Sequence, residues 1–151
     1  MRKYIVAFLL IAVISSGFWS ITRQAPKNTP MPIVSATIAG KTFRLHAPQT
    51  LEQRQTGLAA FNSIADDEGM IFRGIRPGVQ SFWMKNMKFD IDILWVDANN
   101  QIVHIVQAVS KDSYPKTVQN PSSKPSSYVI ELQAETCLRY GITSGQTVNL
   151  H

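Results

Sequence analysis

Between residues 33 and 150, apolar and polar side chains alternate in short runs, the period-two signature of half-buried strands. Runs at 33–38 and 41–46 meet at Ala39-Gly40 and predict a β-hairpin. Residues 70–72 and 79–84 predict two further strands around the Arg76-Pro77-Gly78 turn. Residues 91–96 and 101–109 flank Asp97-Ala98-Asn99-Asn100 and predict the clearest hairpin of the chain, and strands follow at 128–132 and 147–150. Helical pattern is confined to two places. Thr50-Leu51-Glu52-Gln53 has the form of a capping box and opens a helix ending between Gly57 and Phe61; residues 134–140 predict a second short helix. Short, closely spaced strands with two small helices predict a β-rich α+β domain, built as a small barrel or a curled mixed sheet. Residues 114–127 hold three prolines and five Ser or Thr without periodicity, which predicts a long loop acting as a lid or simply mobile.

The N-terminal stretch follows a different pattern. Met1-Arg2-Lys3 precedes an apolar run at 4–14, as in an export signal, and Ser15-Ser16-Gly17 offers small residues for a peptidase. The uncharged run continues to Ile21, which brings it to the lower edge of membrane-spanning length, with Trp19 suited to an interface. Residues 1–21 are therefore expected to be a signal peptide or an uncleaved membrane anchor. Residues 22–32, with three prolines, read as an extended linker, and the domain occupies 33–151. The expected location is outside the cytoplasm, periplasmic or extracellular, with anchoring to the cytoplasmic membrane if the segment is retained.

Composition narrows the function classes. A chain of 151 residues with 44% apolar and 17% charged residues fits one globular domain. The net charge is +5, but without Arg2 and Lys3 there remain 13 basic and 10 acidic residues, a net +3 with no basic stripe. Nucleic-acid binding needs clustered positive charge, so it is not expected here. The single Cys137 excludes an intrachain disulfide and a multi-thiolate zinc site, and reads as a small buried hydrophobe on the second helix. His46, His104 and His151 match no ligand spacing, and Asp66-Asp67-Glu68 lacks the calcium-loop pattern, so neither metal nor cofactor is expected.

Candidate chemistry gathers around Phe82-Trp83-Met84-Lys85-Asn86 and the strand at 91–96. Alternation places Phe82 and Met84 on a core face and Trp83 and Lys85 on the opposite face, where an indole and an ammonium could flank a ligand. Asp92 stands between Ile91 and Ile93, and Glu131 between Ile130 and Leu132. A carboxyl group in such a position is costly unless it is paired or hydrogen-bonded. Either Lys85, Asp92 and Glu131 converge on one site with perturbed pKa values, or the two acids accept backbone N–H bonds and ion pairs that fix the sheet. Arg54 is a helix charge with a carboxylate partner as the alternative, and Asn86 is a ligand contact or a turn residue. No Ser-His-Asp order, Gly-rich phosphate loop or metal cluster is present in the sequence.

The order of Gln53-Arg54-Gln55-Thr56-Gly57-Leu58, Gly69-Met70-Ile71-Phe72, Phe82-Trp83-Met84-Lys85-Asn86, Asp92-Ile93-Leu94 and Tyr128-Val129-Ile130-Glu131-Leu132 resembles the domain of unknown function 192 family. These are small, often exported or membrane-tethered prokaryotic proteins. The resemblance spans about residues 33–150 and implies a compact β-rich α+β domain, with polar motif positions at Arg54, Lys85, Asn86, Asp92 and Glu131. It implies no activity or cofactor. Two positions depart from the pattern: Glu135 where a Gly usually follows the Glu-Leu strand, and Gln146 where an Asp commonly follows Gly145. Both weaken any placement of acid chemistry at the C-terminal turn.

Two functional readings follow. One is a non-enzymatic binding or accessory module of the cell envelope, taking a small ligand, a glycan or a protein partner across the Trp83/Lys85 face. The other is a hydrolase or transferase acting on an envelope polymer, with Asp92 or Glu131 as general acid/base and Lys85 as electrostatic stabiliser. Whether the chain is an enzyme stays open at the level of sequence.

Overall fold

The computed structural model describes residues 30–121 and 123–151. The expected signal or anchor, and the linker apart from its last three residues, lie outside the described residues. Among the described residues, no helix is long and apolar enough to cross a membrane.

The alternating runs form strands. β1 (Ile33–Ile38) and β2 (Lys41–His46) make the expected antiparallel hairpin, with Ala39 and Gly40 both at positive φ in the turn. Thr50 and Gln53 form a reciprocal capping box at the start of α1 (Leu51–Thr56), each satisfying a backbone N–H that the first helical turn leaves unpaired. A 3-10 turn over Gly57–Ala60 follows. This crossover returns the chain so that β3 (Glu68–Phe72) lies parallel to β2. β5 (Ile91–Val96) and β6 (Ile102–Val109) form the second hairpin, with two register irregularities. β8 (Tyr128–Gln133) inserts antiparallel between β3 and β5, α2 (Thr136–Tyr140) follows, and β9 (Asn149–Leu150) pairs with β1.

The resulting sheet has seven strands in the order β6-β5-β8-β3-β2-β1-β9. Its two ends are tied by backbone bonds from Ile102 N to the Gln146 carbonyl and from Val148 N to the Asn100 carbonyl, at 2.9 and 2.8 Å. The sheet is thus a curled, barrel-like mixed sheet with two short helices.

Alternation divides the apolar residues into two cores. Phe43, Leu45, Ile71, Leu94, Ile130 and Leu132 fill the concave side with α2. Met70, Phe72, Ile93, Trp95 and Val129 face the other side, under α1 and the 3-10 turn. Burying each such large side chain contributes roughly 1.5–3 kcal/mol, which makes these two layers the main source of stability. Gly69 lets the layers close. A Cβ there would collide with the Glu131 carbonyl oxygen and stand 2.7 Å from Leu132 Cδ2, so only hydrogen fits between β3 and β8.

Two expectations for the middle of the chain are corrected. The strand at 79–84 is shorter, β4 (Ser81–Trp83), because Met84 and Met87 close a turn through Asn86 at φ +61°. The stretch at 114–127 is not a plain loop: it contains β7 (Thr117–Gln119), which pairs antiparallel with β4. Buried Asn120 pins the segment by accepting from Gln80 N and donating to the carbonyls of Gly78 and Lys124.

Candidate functional site

The second core is open at one end. There α1, the 3-10 turn, the end of β3 and the β4 ribbon surround a cleft whose deepest recess, of about 30 Å³, contains Glu131. Strand pairing explains why a carboxyl group lies there. On β8, Ile130 and Leu132 point into the concave core, so Glu131 projects from the opposite face, between Met70 of β3 and Ile93 of β5. Both neighbours are fully buried, and Glu131 itself is 5% exposed.

No side chain or backbone donor among the described residues pairs with this carboxyl group, whose oxygens open into the recess rather than being sealed in the core. Gly57, at φ +55°, keeps the space above it clear: a Cβ at that position would stand 3.9 Å from Glu131 Oε2 and 3.6 Å from Phe72 Cζ. Burial without a compensating charge pushes the Glu131 carboxyl up to about 8, because desolvation disfavours the ionised form. At neutral pH it is a neutral acid, able to donate one hydrogen bond and to accept others.

The recess is basic around an apolar wall. Arg54, from the last turn of α1, and Lys85, just after β4, line it together with Phe82 and Trp83. Neither cation has a salt-bridge partner among the described residues; the Lys85 ammonium lies 6.0 Å from the centre of the Tyr114 ring. Phe82 is held from behind by Phe72 and Trp95, at ring separations of 5.3 and 6.1 Å in edge-to-face geometry. Trp83, 50% exposed, stands at the mouth. From the recess, an apolar groove of about 390 Å³ runs along Arg54, Phe72, Phe82 and Trp83 to Thr117. On the other side of Trp83, a broader basin of about 940 Å³ is bordered by Lys85, Asn86 and Lys88.

Of the six residues singled out in the sequence, Arg54, Lys85 and Glu131 share the recess, and Trp83 borders the recess, the groove and the basin. Asn86 lies on the basin rim, where its left-handed backbone turns the chain after β4. Asp92 lies elsewhere. It pairs across from Leu132 and therefore faces the concave core, the opposite side of the sheet from Glu131. Its oxygens accept from Ala108 N at 2.9 Å, Glu135 N at 3.3 Å and Cys137 N at 2.8 Å, which ties β6 to β5 and caps α2 from outside the helix. Convergence of Lys85, Asp92 and Glu131 thus does not occur: the geometry of the sheet separates the two acids. Cys137 is buried as expected, and burial together with Asp92 pushes its thiol up, away from nucleophilic reactivity.

Two contributors to the cleft escaped the sequence. Gly57 registered only as a helix end, although a Gly following Gln53-x-x-Thr56 signals a backbone position that a side chain would obstruct. Phe72 carried no signal separating it from ordinary apolar positions.

Residues 34–150 match DUF192, the family described as Uncharacterized ACR, COG1430. The chain belongs to the DUF192 family. Among solved structures, the domain is similar to a candidate transcription regulator from Sinorhizobium meliloti 1021, with TM-score 0.70 and 25% identity over 81% of this chain and 96% of that one. It is also similar to a protein of unknown function from Novosphingobium aromaticivorans DSM 12444, with TM-score 0.67 and 26% identity over 83% and 89% of the two chains. No curated protein matches the sequence. Within the DUF192 domain, the two departures noted in the sequence have structural explanations. Glu135 adopts φ +68°, a left-handed conformation that glycine takes without strain. Gln146 accepts from Thr143 N through its side-chain oxygen, closing the turn that precedes β9.

Proposed function

We propose that this DUF192 domain is a non-enzymatic binding module of the cell envelope, and that the cleft between α1 and β4 is its ligand site. The observation that carries the reading is Glu131: a carboxyl group buried on a central strand, without a partner among the described residues, facing a recess that a ligand group can fill. Natural interiors satisfy their buried polar groups, and a carboxyl group that instead opens into a cleft marks a functional position. Trp83 supplies an exposed stacking surface, and Arg54 and Lys85, without a salt bridge among the described residues, supply positive charge beside it. The envelope location rests on the basic start and the apolar run at 4–21, followed by the proline-rich linker.

The test is a thermal-shift screen of the full-length chain against a metabolite and glycan-fragment library, repeated with Trp83→Ala and Lys85→Ala. Ligands whose stabilisation is lost in both variants support the module. If no compound distinguishes the variants from wild type, the cleft is not a binding site. A reporter fusion that is inactive outside the cytoplasm overturns the location.

An acid-catalysed hydrolase or transferase on an envelope polymer is the second reading, favoured by the raised Glu131 carboxyl. Glu131 would act without Asp92, which occupies the other face of the sheet. Release of fragments from isolated envelope polymer by wild type but not Glu131→Gln would establish it; equal release by both would exclude it.

A further inference from the structure

The cleft has two compartments of very different size, and together they describe a ligand. The recess at Glu131, about 30 Å³, accommodates about one or two water-sized groups, so only a small terminal group reaches the carboxyl. The groove of about 390 Å³ that opens from it is walled by Phe72, Phe82 and Trp83, and suits a flat apolar body. Arg54 borders both compartments. The charged residues lining the recess are Arg54, Lys85 and Glu131. The elements packed directly against Glu131 contribute Met70, Phe72, Ile93 and Gly57, none of which titrates.

From this geometry we infer that the cleft binds a small organic carboxylate: an anionic head in the recess between Arg54, Lys85 and Glu131, and an aromatic or branched aliphatic body in the groove against Trp83. The inference rests on the binding-module reading and names the ligand class of the same site. An anionic head accepts charge-assisted hydrogen bonds from the two cations, which have no carboxylate partner among the described residues. It also accepts from the protonated Glu131 carboxyl, which opens into the recess without a hydrogen-bond partner among the described residues. A neutral head of the same size would fill the recess but leave both cations unmatched. A cationic head would meet like charge on two sides.

The chemistry predicts a pH signature. Glu131 donates only while protonated, and its carboxyl titrates at about 8. Above that pH it becomes an anion facing the ligand's own charge.

The test uses ¹⁹F relaxation of 4-fluorophenylacetate and of 4-fluorophenylacetamide with the full-length chain in lipid nanodiscs, and empty nanodiscs as control. The carboxylate is expected to bind at pH 6.5 at least tenfold more tightly than the amide. Its affinity should fall about tenfold between pH 7.5 and 9, a dependence removed by Glu131→Gln, which keeps a donor at the same place. Arg54→Ala and Lys85→Ala should each weaken the carboxylate about tenfold and the amide little. Equal or tighter binding of the amide, lost on Trp83→Ala, overturns the carboxylate assignment and leaves the cleft as a binding site. Failure of both probes to bind overturns the assignment too, and the library screen on Trp83→Ala then decides whether the cleft binds anything. Carboxylate binding that is unchanged by Arg54→Ala, Lys85→Ala and pH places the probe elsewhere and also overturns it.

Discussion

Asp92 and Glu131 occupy adjacent central strands, each between two apolar neighbours, one residue out of register with each other. In the sequence they are equivalent. In the fold they are opposites. Asp92 is completely buried and accepts three backbone N–H groups from β6 and the start of α2, while Glu131 is nearly as buried and accepts none among the described residues. The offset of one residue is what separates them, because a step of one along a strand exchanges the faces of the sheet. One acid falls where a helix N-terminus and a bulged strand present unpaired donors. The other falls where a glycine turn has cleared a space. A buried carboxyl group thus marks a structural joint when the fold supplies its donors and a candidate site when it does not.

That contrast is open to a direct attack through Asp92. Asp92→Ala removes the acceptor for three backbone N–H groups, that of Cys137 buried and those of Ala108 and Glu135 part-buried, and uncaps α2, whose own N-cap residue Glu135 provides no side-chain bond. The expected loss is about 4–6 kcal/mol, a large part of a domain's total stability, measured by urea unfolding. A loss below about 1 kcal/mol would mean that water or rearranged backbone replaces the carboxyl group, and the structural half of the comparison would be wrong.

Glu131 predicts the reverse kind of effect, in pH rather than in connectivity. Its carboxyl group titrates at about 8 in the fold and near 4.3 when unfolded, so between these values the folded state holds the extra proton. Stability from this group is therefore complete below about pH 4.3 and declines as pH rises through about 8. The slope is at most about 1.4 kcal/mol per pH unit, or roughly 3–4 kcal/mol between pH 5 and 8. Other groups titrate in the same range, so the readout is the difference between wild type and Glu131→Gln. The variant should lack this slope and overtake wild type in stability at high pH. Parallel pH profiles would show that Glu131 ionises as freely as an exposed acid.

The sequence carried much of the frame and little of the site's connectivity. The capping box at Thr50, the hairpins at Ala39-Gly40 and Asp97–Asn100, and the division of the motif strand into buried Met84 and exposed Trp83 all follow from local rules. The period-two pattern of the strand also puts Asp92 and Leu94 on one face. It could not show which strand neighbours which, so it could not place Asp92 and Glu131 on opposite sides of one sheet. That relation depends on β8 lying between β3 and β5, a long-range pairing that leaves no local trace. The same blindness hid β7 and Asn120. A three-residue strand in a proline-rich stretch has no visible period, and an asparagine that ties three loop backbone groups together looks like any turn residue.

Gly69 tests whether the cleft depends on how closely the sheet packs behind it. In Gly69→Ala, the added methyl meets the backbone of Glu131 and the side chain of Leu132 and forces β3 away from β8. A loss of about 2–3 kcal/mol is expected, since backbone cannot yield as a flexible side chain can. Because the strain falls on Glu131 itself, the pH dependence assigned to that residue should shrink at the same time, as water gains access. A destabilised variant that keeps the full pH dependence would show that the seal over Glu131 comes from α1 and β4 rather than from the sheet.

The smallest expected effect on stability is the sharpest for function. Trp83 and Trp95 sit on neighbouring parts of the second core, both near Phe82. Trp95 is fully buried with its indole N–H donated to the Gln80 carbonyl at 3.0 Å, whereas half of Trp83 is exposed and lines the cleft. Trp95→Ala should cost about 3–5 kcal/mol, as large-to-small changes in a closed core do. Trp83→Ala should cost under about 1 kcal/mol, because the surface it covers is already the wall of an open groove. If unfolding shows Trp83→Ala to be as damaging as Trp95→Ala, the indole is core and the open groove is not a preformed site. If it is nearly silent, a large apolar side chain is being kept half in water at the mouth of a basic cleft, where it adds little to the fold and is available to a ligand.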